Sequence, residues 1–417
     1  MNSQRASLGF FGLVFILFLA LGGLFWLNFR YLIRIPARDN FLVYWISTRS
    51  LLVEGQNPYS QEVAVRIQQG SSTGNQGELV PELRVTYPLY GSLIFLPFAL
   101  INDYVLARAL WCTLLEIAVV ISTLMSIKCI EWRTSIIIVL TSVLFFLGWY
   151  YSVIPIITGN NAVLMTLFLI LSITAIRSGL DEIAGILLAF VTTLPQPFIL
   201  ILIFIILWSI SYRRWRILIW MFGSLIILIT GASLIIPDWI LQYVRLLLHG
   251  GSYSVVQSPG DIFRMNWPGL GISMSWAWSI FFAIIILFEW VISLKKEIRG
   301  FLWTAALTLV ISQWIGIPTS PDNFIILLYP IVLILAKIEE HWGKKVRWFL
   351  ITLLVLVFIL NWLPLWSKIT QVLSGYRNNF LFFPLPLFLL LGLYWVRWWA
   401  IQPKPKLLAN LSREEGV

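Results

Sequence analysis

Long apolar runs recur from one end of this 417-residue chain to the other, and they constrain its fold more than any other feature. Ile217 to Ile236 is one; Phe349 to Leu365 and Phe380 to Val396, with their flanks, are two more. Hydrocarbon offers no partner for a bare peptide group, so a run of this length folds as a helix that satisfies its own backbone. Only 12% of the residues are charged, about half the share of a soluble domain, which excludes a water-soluble globular enzyme. The chain reads as an all-α polytopic membrane protein, a single integral membrane domain over residues 1–417.

About 20 residues make one crossing at a rise of about 1.5 Å per residue. Candidate spans cover residues 8–29, 104–127, 135–157, 162–176, 183–194, 196–211, 217–236, 272–293, 301–317, 323–336, 348–365 and 379–396. These twelve put both termini on one side of the membrane. The first is read as a retained helix because no small-residue cleavage site follows it. Tyr87 to Leu100, interrupted by Pro88 and Pro97, is too short to cross and predicts a half-helix or re-entrant segment.

Orientation follows from Lys and Arg in short loops. With both termini cytoplasmic, 18 of the 29 Lys and Arg fall inside, 8 of them Lys, whereas 10 of the 11 outside are Arg. A guanidinium offers a planar fork matched to phosphate oxygens and keeps its charge when half-buried. An outer phosphate site is one reading of that bias; snorkelling to lipid headgroups is the other. The net charge of +10 is spread between apolar runs and forms no groove-sized cluster, which argues against nucleic acid as a partner. Two cysteines, Cys112 and Cys129, supply neither a disulfide framework nor a thiolate metal site.

Two outer loops are long, residues 30–86 and 237–271, and chemistry on a rigid scaffold concentrates in such loops. Within the first, Phe41 to Val53 and Gln61 to Gln69 predict interfacial helices, and Gly70 to Gly77 a linker. Nine acids fall outside: Asp39, Glu54, Glu62, Glu78, Glu82, Asp103, Asp238, Asp261 and Asp322. Asp39 stands apart, with Arg38 beside it and Asn40, Phe41, Tyr44 and Trp45 after it. A carboxylate shielded by aromatics at a membrane surface accepts a proton from a hydroxyl nucleophile. The alternative is a helix N-cap, which Asp39 or Asn40 serves equally. No Asp-x-Asp or His-x-x-x-His spacing occurs outside, so no metal is expected.

From Asp39-Asn40-Phe41-Leu42-Val43-Tyr44-Trp45 through Arg49, Asn57-Pro58-Tyr59, Tyr87-Pro88-Leu89-Tyr90, Pro97 and Leu110-Trp111, the chain resembles glycosyltransferase family 87. The likeness continues through Gly159-Asn160-Asn161, Pro195-Gln196-Pro197 and Arg213-Arg214-Trp215-Arg216, and thins out toward Asn323 to Pro330. Each piece is short, and their order carries the specificity. The resemblance implies a GT-C superfamily bundle of about twelve helices with interfacial helices in the first outer loop. It implies inverting transfer of mannose, or a similar pentose or hexose, from a polyprenyl-phosphate donor to a lipid or glycan acceptor on the outer face. Members of the family include mycobacterial mannosyltransferases. No cofactor beyond the lipid donor is implied.

The family's catalytic Asp directly precedes the Phe of the aromatic run, which is Asn40 here, one residue after Asp39. One residue rotates a helical side chain by about 100°. Asp39 is the favoured base with a shifted cap; otherwise Asn40 holds the acceptor while another acid acts, or this member is inactive. A departing lipid phosphate needs donors at its oxygens, and Arg38, Arg49, Arg84, Arg108, Arg264 and His249 are those on the outer side. Arg264 with Asn266 and Trp267 offers a guanidinium, an amide and a stacking face for a sugar. Asn160 and Asn161 either bind sugar hydroxyls or cap a helix. Gln196, between two prolines at membrane depth, requires a partner in a neighbouring helix or in the donor head. Tyr44 belongs to the aromatic shield, while Tyr59 and Tyr87 anchor the interfacial helices, with a substrate role second.

Glu116 falls in mid-span, where it either pairs across the bundle or couples protons in a transporter, and Glu289 lies near an inner end beside Lys295 and Lys296. A transporter or flippase is therefore a second function, and a noncatalytic envelope-complex subunit a third. A transporter requires a polar line through the bilayer, for which only Glu116 and Gln196 are present.

Overall fold

A computed structural model describes residues 2–34, 40–71, 85–250, 258–267, 269–294, 297–317, 319–366 and 383–401. Among them are eighteen α-helices and no strand, as backbone self-satisfaction in an apolar chain requires. Two compact units emerge.

The first unit comprises residues 1–118, 156–160 and 230–254. It holds α1 (Asn2–Leu32), α2 (Asn40–Glu54), α3 (Gln61–Ser71), a 3-10 turn (Leu89–Gly91), α4 (Ser92–Ala99), the first half of α5 (Tyr104–Ile130) and α12 (Trp239–Gly250). Helices α2 and α3 lie where the first loop predicts them, and α4 is the expected short segment around Pro97. The two loop helices differ in kind. In α3, Val63 and Ile67 are buried while Glu62 and Arg66 are exposed, the one-sided pattern of a surface helix. In α2, Phe41 to Tyr44, Ser47, Thr48 and Ser50 are all buried, so this helix is part of the unit's core rather than a surface float.

The second unit comprises residues 119–155, 161–229 and 255–417. In order it carries the rest of α5, α6 (Ile136–Gly148), most of α7 (Tyr150–Ile157), α8 (Ala162–Ser178), α9 (Asp181–Val191), α10 (Pro195–Ser211) and most of α11 (Trp215–Ile235). There follow α13 (Pro259–Asn266), α14 (Gly271–Ser293), α15 (Ile298–Ser312), α16 (Leu328–Trp342), α17 (Arg347–Trp366) and α18 (Pro384–Ile401). At its centre is α15, every residue of which from Gly300 to Ser312 is buried; it packs on α10, α14, α16 and α18. Gly179, left-handed at φ 79°, ends α8 and turns the chain into α9. Close passage of α9 depends on Gly185, where a Cβ would lie 2.5 Å from the Ile217 carbonyl oxygen.

Helices α5, α11, α14 and α18 are long and apolar enough to cross a membrane, and α6 with α7, bent by 49°, adds a fifth if the pair is one span. In α11 and α14 only 22% and 17% of the most apolar window is buried, so most of their side chains face outward, as lipid-facing helices do. The expected spans at 162–176, 183–194, 196–211 and 301–317 are helices of 11 to 17 residues, shorter than a full crossing. That at 323–336 is split, because Pro321–Leu327 winds as a 3-10 helix before α16 begins. The second long loop contains two helices, α12 and α13.

Candidate functional site

Seven of the candidate residues whose side chains are described fall in the first unit: Asn40, Tyr44, Arg49, Tyr59, Tyr87, Arg108 and Asn160. Helix α2 organises them. It starts at Asn40, and the backbone N–H of Phe41 donates to the Thr158 carbonyl at 3.2 Å, which docks this end of α2 on the 156–160 segment. Gly159 makes the docking possible. It is left-handed at φ 66°, and a Cβ there would sit 2.5 Å from the Phe41 Cβ. Trp111 closes the contact by donating its indole N–H to the Gly159 carbonyl at 3.0 Å and stacking on Phe41 at 5.9 Å.

Below this corner the aromatic run packs inward. Tyr44 stacks on Phe95 at 4.2 Å and meets Tyr87 edge-on at 5.3 Å. Tyr87 is buried, its hydroxyl 2.6 Å from the Ser47 hydroxyl, and Tyr59 donates to the Tyr87 carbonyl at 3.0 Å. Burial raises the Tyr87 phenol above its ordinary range, against the lowering effect of the Ser47, Thr48 and Ser92 hydroxyls. It also raises Tyr59, which Tyr87, Tyr243 and Tyr90 push further. Neither phenol is a base at neutral pH; they orient by hydrogen bonding.

The cations expected on the outer side divide by environment. Arg49 donates to the Ala99 carbonyl at 3.1 Å and to the Asn102 amide oxygen at 2.8 Å, and lies 5.5 Å over the Trp45 ring, so it ties α2 to the 99–102 turn. Arg108 is 2% exposed and donates to the Ile157 carbonyl at 3.2 Å, so it does not snorkel to the surface. In the second unit, Arg264 is exposed on α13 and pairs with Asp261 at 3.5 Å, while the Asn266 amide donates to the Ile262 carbonyl at 2.8 Å. Trp267 is half exposed. Arg264 and Asn266 sit on one short helix that Trp267 follows as its C-cap, and the two polar side chains are spent on it. His249 falls in α12, not in a loop. Asp39, Arg38 and Arg84 lie outside the described residues.

Asn160 is buried in the first unit. Asn161 occupies the N-cap position of α8, yet its amide donates to the Thr193 hydroxyl at 3.5 Å instead of capping. Gln196 departs from expectation. It is exposed in the first turn of α10 and hydrogen-bonds no other described residue, so no described neighbouring helix supplies the partner expected of it. Glu116 is paired across the first unit by the Asn28 amide of α1 at 2.7 Å.

Sequence reasoning missed one group. Helix α12 brings Trp239, Gln242 and Tyr243 to Asn57, Tyr59 and Tyr90. Asn57 donates to Gln242 at 2.7 Å, Tyr59 and Tyr243 lie 6.5 Å apart, and Tyr90 meets Trp239 edge-on at 5.9 Å. The Tyr243 hydroxyl is buried without a hydrogen-bond partner among the described residues, and burial pushes it up to about 12. The available signal was the i, i+4 spacing of Trp239 and Tyr243 on an amphipathic stretch of the second loop.

Of the other acids expected outside, Glu78 and Glu82 lie outside the described residues, and four of the rest are committed. Glu54 pairs with Arg66, the Asp103 carboxylate accepts from the Leu106 N–H at 2.8 Å, Asp238 accepts from Gln242 at 2.7 Å, and Asp261 forms a capping box with Ser258. Asp322 is mostly enclosed, and burial raises its carboxyl to about 6.

A model of glycosyltransferase family 87 matches residues 86–318, more than half of the chain. No curated protein and no solved structure matches it.

Proposed function

This chain belongs to glycosyltransferase family 87, and from that premise we propose an inverting transferase that moves mannose, or a similar pentose or hexose, from a polyprenyl phosphate to a lipid or glycan acceptor. The family makes it a glycosyltransferase, acting between a sugar donor and an acceptor. The finer reading is a GT-C bundle of about twelve helices with both termini cytoplasmic, the reaction on its outer face, and no cofactor beyond the lipid donor.

The observation that carries this reading is the docking of α2 by its N-terminal end. One residue upstream of Asn40, Asp39 is the proposed base, next in sequence to a helix N-terminus, whose dipole favours a carboxylate. The engagement of Glu54, Asp103, Asp238 and Asp261 elsewhere supports it over them. The match begins at residue 86, so Asp39 rests on the local resemblance and on this position. Asp39 takes the acceptor's proton as its oxygen attacks the anomeric carbon from the face opposite the leaving lipid phosphate. Arg38, Arg84 and Arg108 are proposed to meet the phosphate charge, and Asn40, Asn160, Tyr59 and the α12 aromatics to hold the sugar.

The test is transfer from a radiolabelled polyprenyl-phosphate mannose by the purified protein. Asp39→Asn is expected to lower turnover by about 10²-fold or more at equal expression, as loss of a general base does. Unchanged turnover rejects Asp39, and vesicle uptake of the sugar without transfer replaces the enzyme with a transporter.

A further inference from the structure

At the end of the second unit where α5, α8 and α16 finish and α15 and α17 begin, a cavity of about 420 Å³ opens among Arg133, Arg177, Arg299, Lys337, Lys344 and Arg347. Three carboxylates also line it, Glu131, Glu339 and Glu340. Each is taken: Glu131 by Arg177 at 2.6 Å, Glu340 by Lys337 at 2.7 Å and Glu339 by Arg347 at 2.6 Å. Glu339 is buried and also accepts from the Trp132 indole at 2.8 Å and the Thr134 hydroxyl at 2.6 Å, so its oxygens are committed to protein donors. Arg133, Arg299 and Lys344 are exposed and make no ion pair among the described residues. Six cations against three acids leave three positive charges facing one hollow.

Its depth is set by the helices around it. Ile130 and Ala400, the last turns of the membrane-length helices α5 and α18, both line the cavity, which places it at headgroup level. Exposed Trp342, Trp348, Trp395 and Trp398 ring the same end, as an interfacial aromatic belt does. The concentration of Lys and Arg marks this end as cytoplasmic.

We propose that this cavity binds a phosphate-bearing anion at the cytoplasmic headgroup level, held by Arg133, Arg299 and Lys344 between the three ion pairs. Basic pockets between transmembrane helices on that side take anionic lipid heads, and a planar guanidinium fork matches phosphate oxygens. The volume exceeds that of one phosphate group and falls in the range of small-ligand sites. The phosphate arrives either on an anionic lipid or free in solution.

Calorimetric titration of the full chain in neutral detergent separates the sources. The probes are short-chain phosphatidylglycerol, inorganic pyrophosphate and, as a zwitterionic control, short-chain phosphatidylcholine. Wild type is expected to bind an anionic probe at one site and the control not at all. The triple variant R133Q/R299Q/K344Q is expected to bind about a hundredfold more weakly, at about 1 kcal/mol per basic residue. Lys345→Gln, beside the cavity but not lining it, should bind as wild type. Phosphatidylglycerol binding alone assigns the site to lipid, and binding of pyrophosphate assigns it to a soluble phosphate. If the triple variant does not fold, R299Q and K344Q singly are each expected to weaken binding about fivefold. No anionic binding by wild type, equal binding of phosphatidylcholine, or unaltered affinity in the folded variants overturns the proposal.

Discussion

Gly159 shows how one residue without a side chain decides where a whole element rests. Its left-handed backbone and the 2.5 Å approach of Phe41 leave no room for a methyl group. Gly159→Ala is expected to cost about 1 to 3 kcal/mol through overpacking, and to lower transfer more than stability, because the displaced element is the one that starts beside Asp39. Thermal denaturation and turnover measured on the same preparation check this; an unshifted melting temperature would mean that the corner yields. Asp322 poses the opposite problem, a carboxyl enclosed without an ion pair among the described residues. Its folded pKa of about 6 lies above the unfolded value of 3.8, so its contribution favours the fold below about pH 4 and is lost as pH rises through 6. Asp322→Asn should flatten that slope and raise stability at pH 7 by on the order of 2 to 3 kcal/mol. Melting curves between pH 4 and 7 in one detergent decide it, and parallel curves for the two proteins would remove Asp322 as the cause.

At the scale of elements, α2 and α12 do different work from what their place in outer loops suggests. A short helix in a long loop is stable only when packing replaces the length it lacks, and α2 obtains that packing by burying both of its aromatic faces. Helix α12 is held to the first loop through Asn57 and Gln242, and it delivers Tyr243 with a hydroxyl that has no partner among the described residues. Removing a hydroxyl that has no partner is neutral or stabilising. Tyr243→Phe is therefore expected to leave the melting temperature unchanged or slightly raised. If the hydroxyl faces a sugar, KM for donor or acceptor rises about tenfold, the value of one hydrogen bond. Steady-state kinetics with each substrate varied in turn separates the two; a fall in stability with KM untouched would make Tyr243 purely structural. Much of this level was legible beforehand. The helices at Phe41 to Val53 and Gln61 to Gln69 follow from apolar spacing, and the short segment around Pro97 from its prolines. What stayed hidden was that α2 is enclosed, because a period marks a face and not the number of neighbours that cover it.

Across the whole molecule, sparse polar links join helices far apart in sequence. Glu289 of α14 is 4% exposed and accepts from Arg397 of α18 at 2.8 Å and from Tyr394 at 3.3 Å. Its partner among the described residues is thus a distant arginine; Lys295 and Lys296 lie outside those residues. Glu289→Ala strands Arg397, which keeps a cation–π contact with Trp303 at 5.3 Å, and is expected to cost about 2 kcal/mol, below the 3 to 5 of a fully buried pair. Glu289→Gln should recover part of it, and a melting series of the two variants reads both. Apolar periodicity alone dictated a helical chain with membrane-length apolar helices and its breaks at proline, since each of these is a local property of the backbone in hydrocarbon. Only packing decided that Arg49 is spent on a carbonyl and Asn102, that Asn28 answers Glu116, and that Gln242 reaches Asn57 across 185 residues. Such pairings depend on which helix faces meet in space, and sequence separation carries no information about that.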